Sequence, residues 1–412
     1  MLNSNRYFLL IFPWALITGP FFADLIVSLS GLVFLLGSLY ARYWKYYHEK
    51  IVWVFIVFYC YLLLRSLLAE DIWLSLESSL FYFRYLFFVF AIKFCCDHHP
   101  SFIKHMAYSG LAALVVVSLD AYLQYFTGYN VLLMQKVNLF RVSGFFGDEL
   151  ILGSYLSRLT PVFFGLYLFI HPSLKARHLI PLLFLLIIID VLVFIAGERS
   201  ALFNLFLFTI GIILCTTKYK LLRLISFGIS LVIMSTLLSF NSVHQERMIN
   251  QTVKQMGLEP QSKLQTFSTK HQAHFTSAYK MFQDNPFFGQ GPKMFRKLCS
   301  EEQFNVPEAC TTHPHHTYLQ LLAETGVIGT LPVVVLFFFL MTRLLQQTLN
   351  VWIPNNAKKN PLSDAQVCLV LALVITLWPL LPTGSFFSNW LGGIYFLPVG
   401  FLLSKNIYKK YI

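Results

Sequence analysis

Long apolar runs alternate with short charged or aromatic connections along nearly the whole chain. A membrane-spanning helix needs about 20 mostly apolar residues. Runs of that length predict about twelve spans, near 7–19, 22–40, 51–69, 77–95, 105–126, 149–170, 178–196, 201–216, 222–240, 326–345, 364–381 and 386–404. Gly19 and Pro20 divide the first two. The opening run "NRYFLLIFPWALITGP" lacks a small-residue cleavage site and continues into more apolar sequence, so it reads as a retained span. The pattern predicts an all-α, polytopic membrane helix bundle with about 12 transmembrane helices and one long outer loop domain. Its parts are an N-terminal bundle of about nine spans over 1–240, the loop over 241–325, and C-terminal helices with a tail over 326–412.

Composition agrees with this reading. The 412 residues are 57% hydrophobic and 12% charged, which is about half the charged share of an ordinary soluble domain. A net charge of +12 would suggest a nucleic-acid partner in a soluble chain, but here Lys and Arg collect in alternate connections. "ARYWKYYHEK", "KFCCDHHPSFIK", "HPSLKAR", "KYKLLR", "TRLLQQTLNVWIPNNAKKN" and "SKNIYKK" are basic, whereas "AEDIWLSLE" and "LPTGSFFSN" hold neither Lys nor Arg. The positive-inside bias therefore places both termini in the cytoplasm and expects no nucleic acid. Three connections remain on the far side: residues 127–148, the tight "GERSA" around Arg199, and the long stretch 241–316.

Candidate chemistry gathers on that far side. In "CTTHPHHTYLQLLAETGVIG", Pro314 disfavours a helical His313, so a helix starts only after it. Thr317 and Gln320 have the spacing of a capping box, and Gly326 stands where a helix-terminating glycine belongs. His315 and His316 then precede a helix N-terminus, whose positive dipole end disfavours imidazolium and attracts anions. A neutral imidazole beside a bound anion suits a general base. The plain alternative is a set of solvated loop histidines.

Arg199, between two apolar runs, sits at headgroup depth, either paired with Glu198 and snorkelling or clamping a pyrophosphate with its planar fork. Arg84 lies inside an apolar run, whereas Arg141, His271, His274, Lys293 and Arg296 add cationic character outside. Gly289 and Gly291, flanked by Pro286 and Pro292, read as tight-turn residues rather than a phosphate loop. Cys299 and Cys310 share the long outer loop, where an oxidising compartment permits a disulfide contributing on the order of 3 kcal/mol. A zinc site from Cys299, Cys310, His313 and a second His is the rival, and its spacing matches none of the common zinc patterns.

These stretches resemble a family. "RVSGFFGDELILGSYL", "GERSALF", "AYKMFQDNPFFGQGPKMF" and "HPHHTYLQLLAETGVIG" occur in the order and loop placement of the O-antigen ligase and O-antigen polymerase superfamily of bacterial inner membranes. The likeness runs from about Arg84 to Gly329. Its most specific part is a His followed by an amide or Ser, then nine residues and Gly-x-x-Gly. Here His315 takes the His position, His316 departs from the amide or Ser, and Gly326 and Gly329 complete the pattern.

The resemblance implies a GT-C type membrane glycosyltransferase with a periplasmic loop domain and active site. Such enzymes pass a glycan from undecaprenyl pyrophosphate to a hydroxyl, on lipid A-core for a ligase or on another repeat unit for a polymerase. It implies Arg199 as the arginine that engages the pyrophosphate and His315 as the essential histidine. Where the family carries a second arginine this chain has Lys270 and His271, with Arg296 as another candidate. His274, His313, His316, Arg84 and Arg141 complete the expected substrate-binding set.

The chemistry also fits the residues themselves. Displacing pyrophosphate from an anomeric carbon needs a base for the incoming hydroxyl and positive charge for the departing phosphates. No Asp-x-Asp motif occurs, so no divalent metal or other cofactor is expected. Attack opposite the leaving group would invert the anomeric centre. Two rivals remain: Asp148 and Glu149 as base or metal ligands, and a lipid-linked-glycan flippase whose path is lined by Arg65, Arg84, Asp120 and Asp190.

Overall fold

The computed structural model describes residues 2–173, 175–256, 267–353 and 361–408. Lys358, Lys359, Lys409 and Lys410, counted among the basic connections, lie outside the described residues. So do Leu174 of "HPSLKAR" and residues 257–266 of the long connection.

The helices run in chain order: α1 Asn5–Ala15, α2 Pro20–Tyr40, α3 Lys50–Leu67, α4 Ile72–Ser79, α5 Arg84–His98, α6 Phe102–Thr127, α7 Leu152–Ile170, α8 Ala176–Ile195, α9 Arg199–Cys215 and α10 Lys220–Phe240. The long connection holds α11 Ser242–Gln245, a π-turn over Glu246–Asn250, α12 Gln251–Gln255, α13 Thr269–Asp284 and α14 Phe295–Leu298. It leads into α15 Thr317–Trp352, α16 Asp364–Thr376, α17 Asn389–Leu402 and α18 Lys405–Tyr408. Among the described residues no strand forms, and only the isolated bridges Tyr129–Gln135 and Asn138–Arg141 interrupt the helical architecture.

The predicted spans overlap helices, but among the described residues fewer than twelve are long and apolar enough to cross a membrane. Among the described residues seven segments have that length and composition: α2, α3, α4 with α5, α6, α8, α10 and α15. Helices α9, α16 and α17 are apolar but shorter. The chain is a multi-pass membrane protein of all-α class.

Local chemistry explains where helices begin and break. Pro20 opens α2, where its missing N–H costs nothing, and Asp71 caps α4 by accepting the Leu74 N–H at 3.0 Å. The expected single span over 77–95 is instead broken between α4 and α5. The Ser78 and Ser79 hydroxyls bond back to the Ser75 carbonyl, and Ser66 and Ser79 share a 2.7 Å hydroxyl contact across to α3, so side chains compete with the helix backbone there. Between helices, small residues permit close approach: a Cβ at Gly165 would lie 2.7 Å from that of Cys368, and one at Gly393 would lie 2.6 Å from the Phe12 ring.

Contacts between connections separate the two ends of the bundle. At one end the Trp352 indole donates to the Leu214 carbonyl, the Thr217 N–H to Asp364, and the Ser404 hydroxyl to Asp97. At the other, Arg65 donates to the Gly289 carbonyl, Arg247 to the Gly197 carbonyl, and the Thr383 N–H to the His315 carbonyl. The long connection folds onto this second end around its own apolar cluster of Ala278, Met281, Met294, Phe295, Leu298 and Phe304, closed by Ala69 and Ala323 from the bundle.

Candidate active site

The Arg199 turn is built by three segments meeting. After α8 the chain reverses through Gly197 at φ +68, and a Cβ there would lie 3.1 Å from the Phe140 carbonyl oxygen and 3.2 Å from the stem of Arg141. Glycine answers both demands. Glu198 then turns inward. Its carboxylate accepts the Gly153 N–H at 2.7 Å and the Ser154 N–H and hydroxyl at 3.0 and 2.9 Å, which satisfies the first turn of α7. The expected Glu198–Arg199 pair does not form. Glu198 faces Arg141 instead, at 3.7 Å.

Arg199 opens α9 and donates to the Thr252 hydroxyl at 2.9 Å and to the Gln255 side-chain oxygen. Arg141 donates to the Ala196 and Leu150 carbonyls at 3.3 and 2.9 Å. A third guanidinium, Arg247 of the π-turn, donates twice to the Gly197 carbonyl, at 3.2 and 3.1 Å, and to Gln251. Arg199 senses Arg247 and Arg141 as its nearest like charges. Three part-buried guanidinia thus ring one turn, and two of them, Arg141 and Arg247, face its one carboxylate, Glu198. Sequence reasoning missed Arg247, since "HQERMIN" reads as a solvated polar stretch. Its position just after an apolar run, on the same face as Arg199, is the signal that was available.

The histidines form the adjoining wall. His315 sits at φ +55, immediately ahead of the α15 cap, with the Thr383 N–H on its carbonyl at 3.0 Å. Its ring centroid is 4.1 Å from that of His313, 5.4 Å from His274 and 5.8 Å from His271. His274 Nδ1 donates to the Ala309 carbonyl at 2.8 Å, and His271 Nδ1 contacts the Ser268 hydroxyl at 2.9 Å. Burial first, then the neighbouring rings, push His315 down to about 3. Burial and then the Arg296 charge push His313 to about 4. His271 is lowered by burial, His274 and then Arg199, which places it between the ring cluster and the guanidinium cluster. The His271, His313 and His315 imidazoles are therefore neutral near pH 7.

The α15 cap is one residue earlier than expected. His316, not Thr317, is the N-cap, and its Nδ1 accepts the Leu319 N–H at 3.2 Å. The imidazole therefore performs the hydrogen-bonding task of an amide or Ser at that position. Gln320 makes no capping box. It donates to Glu324 at 3.0 Å and to the Ser385 hydroxyl at 2.9 Å, and accepts the Phe386 N–H at 2.9 Å.

Gly326 breaks α15 at φ +60, ψ −169, and the 286–291 loop docks into the gap. The freed Val327 and Ile328 N–H groups donate to the Pro286 and Phe287 carbonyls at 2.9 and 3.2 Å. A Cβ on Gly289 would lie 2.5 Å from the Thr325 and Gly326 nitrogens. The glycine loop thus serves close backbone approach and carries no phosphate-cradle geometry of its own.

Other expected site residues lie elsewhere. Arg84 pairs with Asp24 at 2.8 Å and donates to Asn389 at 2.9 Å, tying α5 to α2 and α17. It joins neither cluster, because a nearer acidic partner from another helix satisfies it. Lys270 and Arg296 are exposed beside His271 and near His313 respectively, and Lys293 pairs with Glu77 at 2.9 Å. Cys299 and Cys310 are joined by a disulfide with Cα atoms 5.2 Å apart, so neither is available to zinc. Among the described residues no group of three or more His, Cys, Asp or Glu is arranged to hold a metal ion. Asp148 and Glu149 are exposed.

Residues 182–347 match the family model described as O-antigen ligase. That range runs from α8 into α15 and contains Arg199, Arg247 and the whole histidine cluster, whereas Arg84 and Arg141 precede it. No curated protein matches the chain.

Proposed function

Since residues 182–347 place this membrane protein in the O-antigen ligase/polymerase superfamily, we propose that it transfers a glycan from undecaprenyl pyrophosphate to a lipid A-core hydroxyl, at the periplasmic face of a bacterial inner membrane. The observation that carries this reading is the junction at His271, where the neutral imidazoles of His271, His313 and His315 meet Arg199, itself neighboured by Arg141 and Arg247.

The roles follow from charge. The donor pyrophosphate lies against the guanidinia, whose forks suit paired phosphate oxygens. The acceptor hydroxyl gives its proton to the His315 imidazole as its oxygen bonds to the anomeric carbon. The carbon–oxygen bond to phosphate breaks, its electron pair stays on the phosphate oxygen, and undecaprenyl pyrophosphate departs. Attack from the face opposite the leaving group inverts the centre. An imidazole held near 3 is a weak base in the empty site, and the arriving negative charge of the donor raises it towards the useful range. The guanidinia carry the positive charge of the step, so the reading is GT-C type and metal-independent.

A flippase reading gains little support. Arg65 donates to the Gly289 and Leu68 carbonyls, Arg84 pairs with Asp24, Asp120 accepts the Val131 N–H, and Asp190 pairs with Arg223 at 2.7 Å. Groups so engaged hold helices together rather than line a path. The polymerase alternative differs only in acceptor. Purified protein in lipid, given undecaprenyl-pyrophosphate glycan with either lipid A-core or a repeat unit and read by gel, decides between them. A His315→Ala variant that transfers glycan at the unaltered rate would sink the proposal.

A further inference from the structure

Arg158 lies six residues into α7, about 9 Å along the helix from its start. Only 5% of it is exposed. Two other arginines are buried among the described residues, Arg65 and Arg223, and both are well supplied. Arg223 holds Asp190 through two donors and adds the Thr209 hydroxyl, and Arg65 donates to two carbonyls. Arg158 makes one long contact, Nη2 to the Thr383 hydroxyl at 3.3 Å, while its Nε is buried with no partner. Among the described residues no carboxylate comes within ion-pair distance of it. Glu198 acts on it from beyond ion-pair distance, so a guanidinium so placed has no carboxylate in direct contact to offset its burial.

Its position says where that charge would come from. Arg158 stands four residues after Ser154, on the same face of α7 and one turn below the Glu198 carboxylate that Ser154 binds. Glu198 is already taken by Gly153, Ser154 and Arg141. On its other side, Thr383 joins the Arg158 guanidinium to the His315 carbonyl. The under-supplied cation therefore sits beneath the space between the Arg199 turn and the histidines. The geometry points to Arg158 as a further binding residue, one that takes a phosphate oxygen of the lipid-linked donor at the floor of the site.

This rests on the proposed transfer reading, and the test separates the two. Binding of undecaprenyl pyrophosphate is measured on purified full-length protein in phosphatidylcholine nanodiscs, with and without phosphatidylglycerol, for the wild type and for Arg158→Met, Arg158→Lys and Thr383→Val. Arg158→Met is expected to weaken binding at least tenfold. Arg158→Lys, which keeps charge and loses the planar fork, weakens it about fivefold. Thr383→Val, which removes the one protein contact and keeps the guanidinium, weakens it less than Arg158→Met does.

Wild-type affinity in either folded Arg158 variant overturns the inference. So does a defect that appears only with phosphatidylglycerol present, since the ligand would then be a bulk headgroup. In both cases an intact wild-type affinity, with weak binding by Arg199→Ala, leaves the transfer reading standing. Failure of the wild type to bind the pyrophosphate lipid defeats both.

Discussion

Glu198 and Arg199 are consecutive in sequence and serve different helices. The carboxylate takes the Ser154 and Gly153 donors at the head of α7, and the guanidinium turns outward to Thr252 and Gln255 on α12. Stability and chemistry are thereby divided between neighbours. Glu198→Gln keeps the shape but loses charge-assisted bonds, each contributing about 1.5–3 kcal/mol. It is expected to lower the thermal midpoint while the folded fraction stays active. Arg199→Ala is expected to leave the midpoint nearly unchanged and to cut transfer on the order of 100-fold or more, in line with the loss of a preorganised donor to developing charge. Melting and transfer assays on both variants check the division, and a stable, active Arg199→Ala would refute it.

The depressed histidines set an acid limit. His315 and His313 lie near 3 and 4 in the fold, against about 6.5 in the unfolded chain. Between those values the unfolded chain binds more protons, so stability rises with pH. The contribution is complete above about 6.5 and is lost as pH falls towards 3. Melting from pH 7 down to pH 4 should therefore show a progressive drop, and a double His313→Gln, His315→Gln variant should show a shallower one.

Kinetics test the same groups independently. Solvated loop histidines would give kcat/KM an acid limb near pH 6.5. Neutral, desolvated rings hold that limb below about pH 5 in the free enzyme. Donor phosphate raises the imidazole in the complex, so the acid limb of kcat should lie at higher pH than that of kcat/KM. Coincident limbs near 6.5 would show that His315 is an ordinary surface group.

Much of this arrangement is legible in the sequence, and the failures have physical causes. Apolar run length marks the helices because lipid leaves the backbone no other way to satisfy its hydrogen bonds. The histidine segment stands out because three rings next to Pro314 precede a helix start. Its cap is displaced by one residue because the His316 imidazole competes with the Thr317 hydroxyl for the same N–H groups. The Arg84 ion pair is not legible because its partner, Asp24, lies 60 positions away on another helix, where no local pattern reveals it. Arg247 and Arg158 escape notice for the opposite reasons. One sits in a stretch that looks solvated, and the other's isolation from carboxylates is a fact of three-dimensional packing.

The glycines of the 286–291 loop carry a structural prediction. Gly289, at φ +68, lies against the α15 break so closely that a Cβ would sit 2.5 Å from three backbone atoms, none of them the end of a movable side chain. Gly289→Ala must therefore push the loop off α15 or adopt a strained left-handed backbone, and the contact also carries the Arg65 bond to the Gly289 carbonyl at 2.8 Å. A loss of roughly 3 kcal/mol is expected from overpacking of this kind. Displacement of the loop would also free the Val327 and Ile328 N–H groups, which now reach the Pro286 and Phe287 carbonyls. Gly291, also at positive φ, has the Ala69 and Met294 side chains as its nearest obstacles, so Gly291→Ala should cost less. Melting midpoints of the two variants, measured side by side, check the order. If Gly289→Ala melts with the wild type, the loop is not locked into the helix break.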